Sequence, residues 1–299
     1  MFQTLLSIAP LFILIVLGRI LYQLKIADIT WVNIFNAFTL KIGFPALIFS
    51  AIYHSQKSIL DYKNIFYFNS IFIISIFLLG LLFFSKLKDK RTYMLCLIFN
   101  NIAFLGIPIL QRLYGTQTTE ETGIIASIYL FWVFTLGVIY LELSHDKKIN
   151  MANLLKSLLK NPLLLAIIFS VLFQILNIKL PLVISDSIDL LAQSVTPIVL
   201  LSIGIFTGTI SFAKSTQLQP VLYFTILTLV LSPTILYLVS LNTSINLELS
   251  IMEAAMPVAV APFAMADSFN LNKEFIAQLI VFSTLCSAIS LSLWHLFLT

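Results

Sequence analysis

Residues 93–113 read Tyr93-Met-Leu-Cys-Leu-Ile-Phe-Asn100-Asn101-Ile-Ala-Phe-Leu-Gly106-Ile-Pro108-Ile-Leu-Gln-Arg112-Leu113. The run is long and apolar enough to cross a bilayer, which takes about 20 such residues. Yet two asparagines and a proline sit inside it. A proline within a helix removes one backbone hydrogen bond and clashes with the preceding turn. In hydrocarbon, freed backbone groups are tolerated only where protein or a water-filled cavity satisfies them. A second stretch of the same kind lies at 248–267, where Glu253-Ala-Ala-Met-Pro257-Val258-Ala259 interrupts an apolar run that ends at Asp267. Two interrupted spans predict two broken membrane helices.

The rest of the chain is built to match. Of 299 residues, 60% are hydrophobic and 10% charged, against about 25% charged in an ordinary globular domain. So few charges cannot cover a soluble surface. Apolar runs separated by polar breaks give ten spans, at 3–24, 31–53, 64–85, 93–113, 124–144, 162–178, 183–208, 219–241, 248–267 and 274–298. Residues 3–24 lack a basic leader and a small-residue cleavage site, so they are expected to be a retained span. Little is left for an extramembrane domain.

Several chemistries fall away. Cys96 and Cys286 both lie in apolar runs, and His54, His145 and His295 are far apart, so no disulfide framework, CxxC or HExxH site is present. No P-loop, GxGxxG or GxSxG occurs, and no cofactor is expected. The net charge of +4 resides in loops between spans, which is not a nucleic-acid footprint.

Those loop charges set an orientation. Alternate loops from the first hold Arg19, Lys25, Lys86, Lys88, Lys90, Arg91, Lys147, Lys148, Lys156, Lys160, Lys214 and Lys273; the opposite loops hold only Lys57, Lys63, Arg112 and Lys179. The richer set belongs in the cytoplasm, with both termini outside.

The prolines point to an internal duplication. Pro45 and Pro108, in the second and fourth spans, precede Pro197 and Pro257, in the seventh and ninth, by 152 and 149 residues. Two five-span copies, 1–149 and 150–299, must then have opposite orientations, the inverted-repeat plan of many secondary transporters. The expected fold is an all-α membrane protein of ten helices in two inverted five-helix repeats. Two broken helices from opposite repeats can then cross near the midplane. Their half-helix N-termini present free N–H groups and partial positive charge, which suits a carboxylate.

Around the breaks the sequence resembles a known family. Asn101 to Gly115, Glu253 to Pro257, Ala261-Pro262 to Asn270, Lys160-Asn161-Pro162 and Ser194 to Gly204 together resemble the auxin efflux carriers. That family includes plant auxin exporters and bacterial permeases proposed for malate or malonate. The resemblance implies that helices 1, 2, 6 and 7 form a scaffold and the others a mobile transport domain. Substrate would sit at the crossover of helices 4 and 9 and move elevator-fashion. By position, Asn101 matches the polar crossover residue, and Pro108 and Pro257 match the crossover prolines. After Pro257 a plant Gln-Gly pair is replaced by Val258-Ala259, and the long plant cytoplasmic loop is absent, which points away from auxin.

Individual residues carry two readings each. Asn100 and Asn101 either bond between helices or contact substrate; Asn101 is expected at the substrate and Asn100 in the structure. Lys41, the cation well within a span, pairs with a substrate anion, pairs with an acid such as Asp61, or snorkels to an interface. Glu253 and Asp267 are candidates to bind a coupling proton, Asp267 competing with a role as helix cap. Arg112 steers anions or marks the interface. Gly204 and Gly208 form GxxxG, for packing within the chain or for a homodimer through the scaffold.

The expected function is therefore a carrier for a small organic anion, a dicarboxylate such as malate or malonate, in a plasma or bacterial inner membrane. The alternative is a membrane receptor that keeps the fold and binds a carboxylate without transport. No catalytic cluster speaks for an enzyme. On this reading Pro108→Ala restores helix continuity and abolishes transport.

Overall fold

The computed structural model describes residues 2–54, 59–143, 162–210 and 218–299. Lys57, His145, Lys147, Lys148, Lys156, Lys160 and Lys214 lie outside the described residues. Every regular element described is helical. Among the described residues, seven helical stretches are long and apolar enough to cross a membrane, and two shorter apolar helices accompany them. The chain is a multi-pass integral membrane protein.

The first part comprises α1 (Phe2–Gln23), α2 (Ile29–Phe38) and α3 (Phe44–Tyr53), then α4 (Lys63–Phe84), α5 (Lys90–Ile98) and α6 (Ile107–Tyr114). It ends with α7 (Thr119–Trp132) and α8 (Val138–Leu143). The second comprises α9 (Pro162–Ile175), α10 (Leu182–Gly208), α11 (Leu218–Ile226), α12 (Ser232–Ser240), α13 (Glu248–Ala254), α14 (Ala261–Phe269) and α15 (Lys273–Leu298). Three of the ten expected spans are not long continuous rods. The fourth breaks between α5 and α6, the ninth breaks between α13 and α14, and α9 is only 14 residues long.

The prolines act differently from expectation. Pro45, Pro108 and Pro233 each stand second in an α-helix that follows a five-residue π turn, at Thr39–Gly43, Ile102–Gly106 and Leu227–Leu231. The wider π turn accommodates a ring that would strike the carbonyl four residues back, so the helix continues. Pro197 lies inside α10, which runs unbroken for 27 residues. Pro257 alone of the four matched prolines lies in an interruption. The break in the fourth span falls at Phe99–Asn101, seven residues before Pro108.

Polar residues within the spans are largely satisfied locally. Ser287, Ser292, Thr225 and Thr228 donate to carbonyls three or four residues back. Asn69 donates to the Ile65 carbonyl and to Ser250 on α13, both at 2.8 Å. The outside is apolar, as lipid requires: Phe83 is 70% exposed and Leu182 78%.

Packing sorts the helices into two groups. Helices α1, α2, α3, α9 and α10 pack mainly on one another, and α4, α5, α7, α11, α13 and α15 form the other set. Within the first group, α1 and α10 meet at Gly18 and Gly204. A Cβ at Gly204 would run into the Ile15 carbonyl, and one at Gly208 into the Tyr22 ring. The GxxxG pair is therefore used inside the chain, against α1.

Candidate functional site at the helix crossover

The two breaks meet. Phe99–Asn101 and Pro257–Ala259 run antiparallel, paired at Asn100 and Val258. Asn101 N–H donates to the Pro257 carbonyl at 2.6 Å, and Ala259 N–H to the Phe99 carbonyl at 2.8 Å. Each broken helix thus supplies the partner that the other has lost, which is how extended backbone survives at membrane depth. Side chains complete the repair. Asn100 Nδ2 donates to the Ala254 carbonyl at 3.3 Å, and Val258 N–H donates to Ser283 Oγ on α15 at 3.2 Å. The Asn101 carbonyl accepts from both Leu105 and Gly106 at 3.1 Å, starting the π turn that leads into α6.

Backbone is satisfied here, but side chains are not. Asn100 Oδ1, Asn101 Nδ2, Tyr129 Oη, Thr284 Oγ1 and both Glu253 carboxylate oxygens are buried without a hydrogen-bond partner. An unsatisfied buried amide or hydroxyl costs about 1–3 kcal/mol, so the concentration of such atoms on and beside the breaks makes this the candidate site. Glu253 is fully buried, one turn before Pro257, with its carboxylate against Gly106 of the other break. The Tyr129 phenol of α7 is within its electrostatic reach.

Of the remaining sequence candidates, Val258 is fully buried in the crossover pair, and Pro257 supplies the carbonyl already described. Pro108 is buried in α6. Lys41 is exposed on the π turn midway along Ile29–Tyr53 and pairs with no carboxylate among the described residues. Arg112 is exposed, and its Nε donates to the Ser7 carbonyl at 2.9 Å, tying α6 to α1. Asp267 lies in α14, but its side chain is outside the description.

A second feature had no counterpart in the sequence reading. A cavity of about 710 Å³ lies between the ends of α3 and α6, the start of α7 and the first half of α10, lined among others by Ser50, His54, Gln111, Glu120, Asp189 and Thr196. His54 Nε2 stands 3.4 Å from Asp189 Oδ2, and Ser50 donates to the same carboxylate. At its rim, burial first and Glu120 second push the Tyr62 phenol above its usual range. Phe44, at the start of α3, stacks on Phe104 of the π turn after the fourth-span break, with centroids 5.2 Å apart, joining the two helix groups. Among the described residues no cluster of three His, Cys, Asp or Glu could hold a metal.

Tyr129 and Thr284 left no signal in the sequence, since the breaks they stand beside lie far away along the chain. Glu253 and Gly106 are separated by nearly half of it.

The sequence is similar to those of known proteins. A family model described as "Membrane transport protein" matches residues 4–152 and 148–295. The uncharacterized transporter YfdV of Escherichia coli is 23% identical over 96% of this chain and 95% of its own length. An uncharacterized transporter of Methanothermobacter thermautotrophicus is 25% identical over 98% and 97%. Auxin efflux carrier component 8 of Arabidopsis thaliana is 29% identical over 41% of this chain and 34% of its own length. The chain belongs to the membrane transport protein family, the family of the auxin efflux carriers.

Proposed function

We propose that the protein is a secondary carrier that moves a small organic anion, a dicarboxylate such as malate or malonate, through the crossover. On this reading ten spans form two inverted five-helix repeats, 1–149 and 150–299, with both termini outside the cytoplasm of a plasma or bacterial inner membrane. The observation that carries it is the pair of mid-span breaks, bonded to each other and bearing in Asn101 Nδ2 a buried donor without an acceptor. A carboxylate oxygen supplies that acceptor. Asn100 and the backbone around Pro257 and Val258 shape the site.

The two helix groups support an elevator: α1–α3, α9 and α10 as scaffold, the remainder as the moving part. The cavity around Asp189 is then the outer vestibule, and the Phe44–Phe104 stack closes it from the crossover. A homodimer through the scaffold would use the exposed face around Lys41, because α1 covers Gly204 and Gly208.

Flux of a carboxylate panel into proteoliposomes tests the reading. Saturable uptake of malate or malonate is expected. Asn101→Ala, losing one hydrogen bond to a charged group worth about 1.5–3 kcal/mol, should raise the half-saturation concentration at least about tenfold. Unchanged saturation in that variant removes Asn101 from the site.

A further inference from the structure

The crossover contains an ionisable side chain for which the anion has no use. Glu253 is fully buried, both its oxygens lack partners, and its carboxylate occupies the space that a side chain at Gly106 would need. One repeat thus inserts an acid into the break of the other, and glycine at 106 makes room for it.

The groups on the elements packed against α13 give that acid no counter-charge. On α7, the Tyr129 phenol is a neutral group that bonds to neither carboxylate oxygen, while Glu120 and Glu121 lie at least two turns further along. On α12, Tyr237 packs tilted against Trp294 and edge-on to Phe297. On α15, His295 stands over Tyr114 and interacts with Glu248, Lys273 and Glu274 lie at the opposite end, and Cys286 is partly exposed. The π turn Ile102–Gly106 carries no ionisable residue. Glu248 is on α13 itself, more than a turn away. An unpaired carboxylate in such surroundings is heavily penalised, whereas a neutral acid is not.

We propose that Glu253 is the proton-carrying site of the crossover, so that the protein is a proton–anion symporter. This rests on the carrier reading above. The carboxylate takes up one proton when the crossover meets water on the loading side, crosses as the neutral acid beside the organic anion, and releases the proton on the other side. One O–H bond forms and later breaks; nothing is oxidised or reduced. Gly106 keeps the place of the acid open.

Wild type and Glu253→Gln, the isostere of the neutral acid, would be compared in proteoliposomes with labelled malate and malonate under an imposed pH gradient. Wild type should accumulate cargo up to about tenfold per pH unit, the limit for one proton per anion. In Glu253→Gln the accumulation ratio should fall to one, an endpoint that does not depend on rate. Infrared spectroscopy supplies a readout that needs no transport: a protonated-carboxyl band expected in wild type and lost in the variant. Flux that ignores the pH gradient, accumulation driven by sodium instead, or a variant that accumulates like wild type overturns the symport and leaves the carrier standing. A wild type that moves no carboxylate at all overturns the carrier reading, and the symport with it.

Discussion

At the residue scale, glycine positions report how close the backbones come. A methyl group at Gly204 would overlap the Ile15 carbonyl, which cannot swing aside as a side chain can. Gly204→Ala should therefore destabilise the protein by about 1–3 kcal/mol, the usual range for overpacking, seen as a lowered melting temperature in detergent. Gly123 is the contrast, since a Cβ there would meet only Ile48 at an ordinary 3.5 Å. Gly123→Ala should stabilise α7 by up to about 1 kcal/mol through helix propensity. Gly106→Ala belongs to neither class. It should displace the Glu253 carboxyl, so transport should fall far more than stability does; equal loss of both would make the glycine merely structural.

At the element scale, the interruptions depend on mutual hydrogen bonds more than on proline. The Asn101–Pro257 and Ala259–Phe99 bonds hold the crossover, whereas Pro108 sits in a helix that a π turn has already accommodated. Ala259→Pro removes one of these donors and strands the Phe99 carbonyl. Such a group in hydrocarbon costs several kcal/mol, so transport should be lost while Ala259→Gly keeps it. Pro108→Ala, by contrast, should leave a folded and active protein. Abolished flux in that variant would return the break to the proline, as the sequence alone implied.

At the scale of the whole molecule, the question is whether the two helix groups move against each other. Phe44 and Phe104 meet across their boundary. With Cys96 and Cys286 replaced by alanine, a cysteine pair at 44 and 104 should block flux when crosslinked and restore it on reduction. Full flux in the crosslinked protein would remove the elevator. The reading also requires an outer C-terminus, and a reporter showing it in the cytoplasm would invert the vestibule and the gate together. Membrane voltage adds a further constraint, since 100 mV is worth about 2.3 kcal/mol per net charge moved. A monoanion moving with one proton on Glu253 should be insensitive to it, and a dianion should not.

The sequence by itself determined the membrane class and the approximate limits of the spans, because hydrocarbon selects against charge at nearly every position of a crossing helix. It also marked Asn101, Glu253 and Pro257, since a polar or imino residue stands out against so apolar a background. Only the tertiary structure decided what those residues meet. It placed the first break at Phe99–Asn101 instead of at Pro108, assigned Gly204 and Gly208 to α1, and left Lys41 facing outward. It also brought Glu253 against Gly106 and opened a cavity around Asp189. Each of these depends on partners more than a hundred residues away or on where a helix turns its face. Hydropathy is a sum over neighbours along the chain and contains neither; contact between distant segments is created by packing.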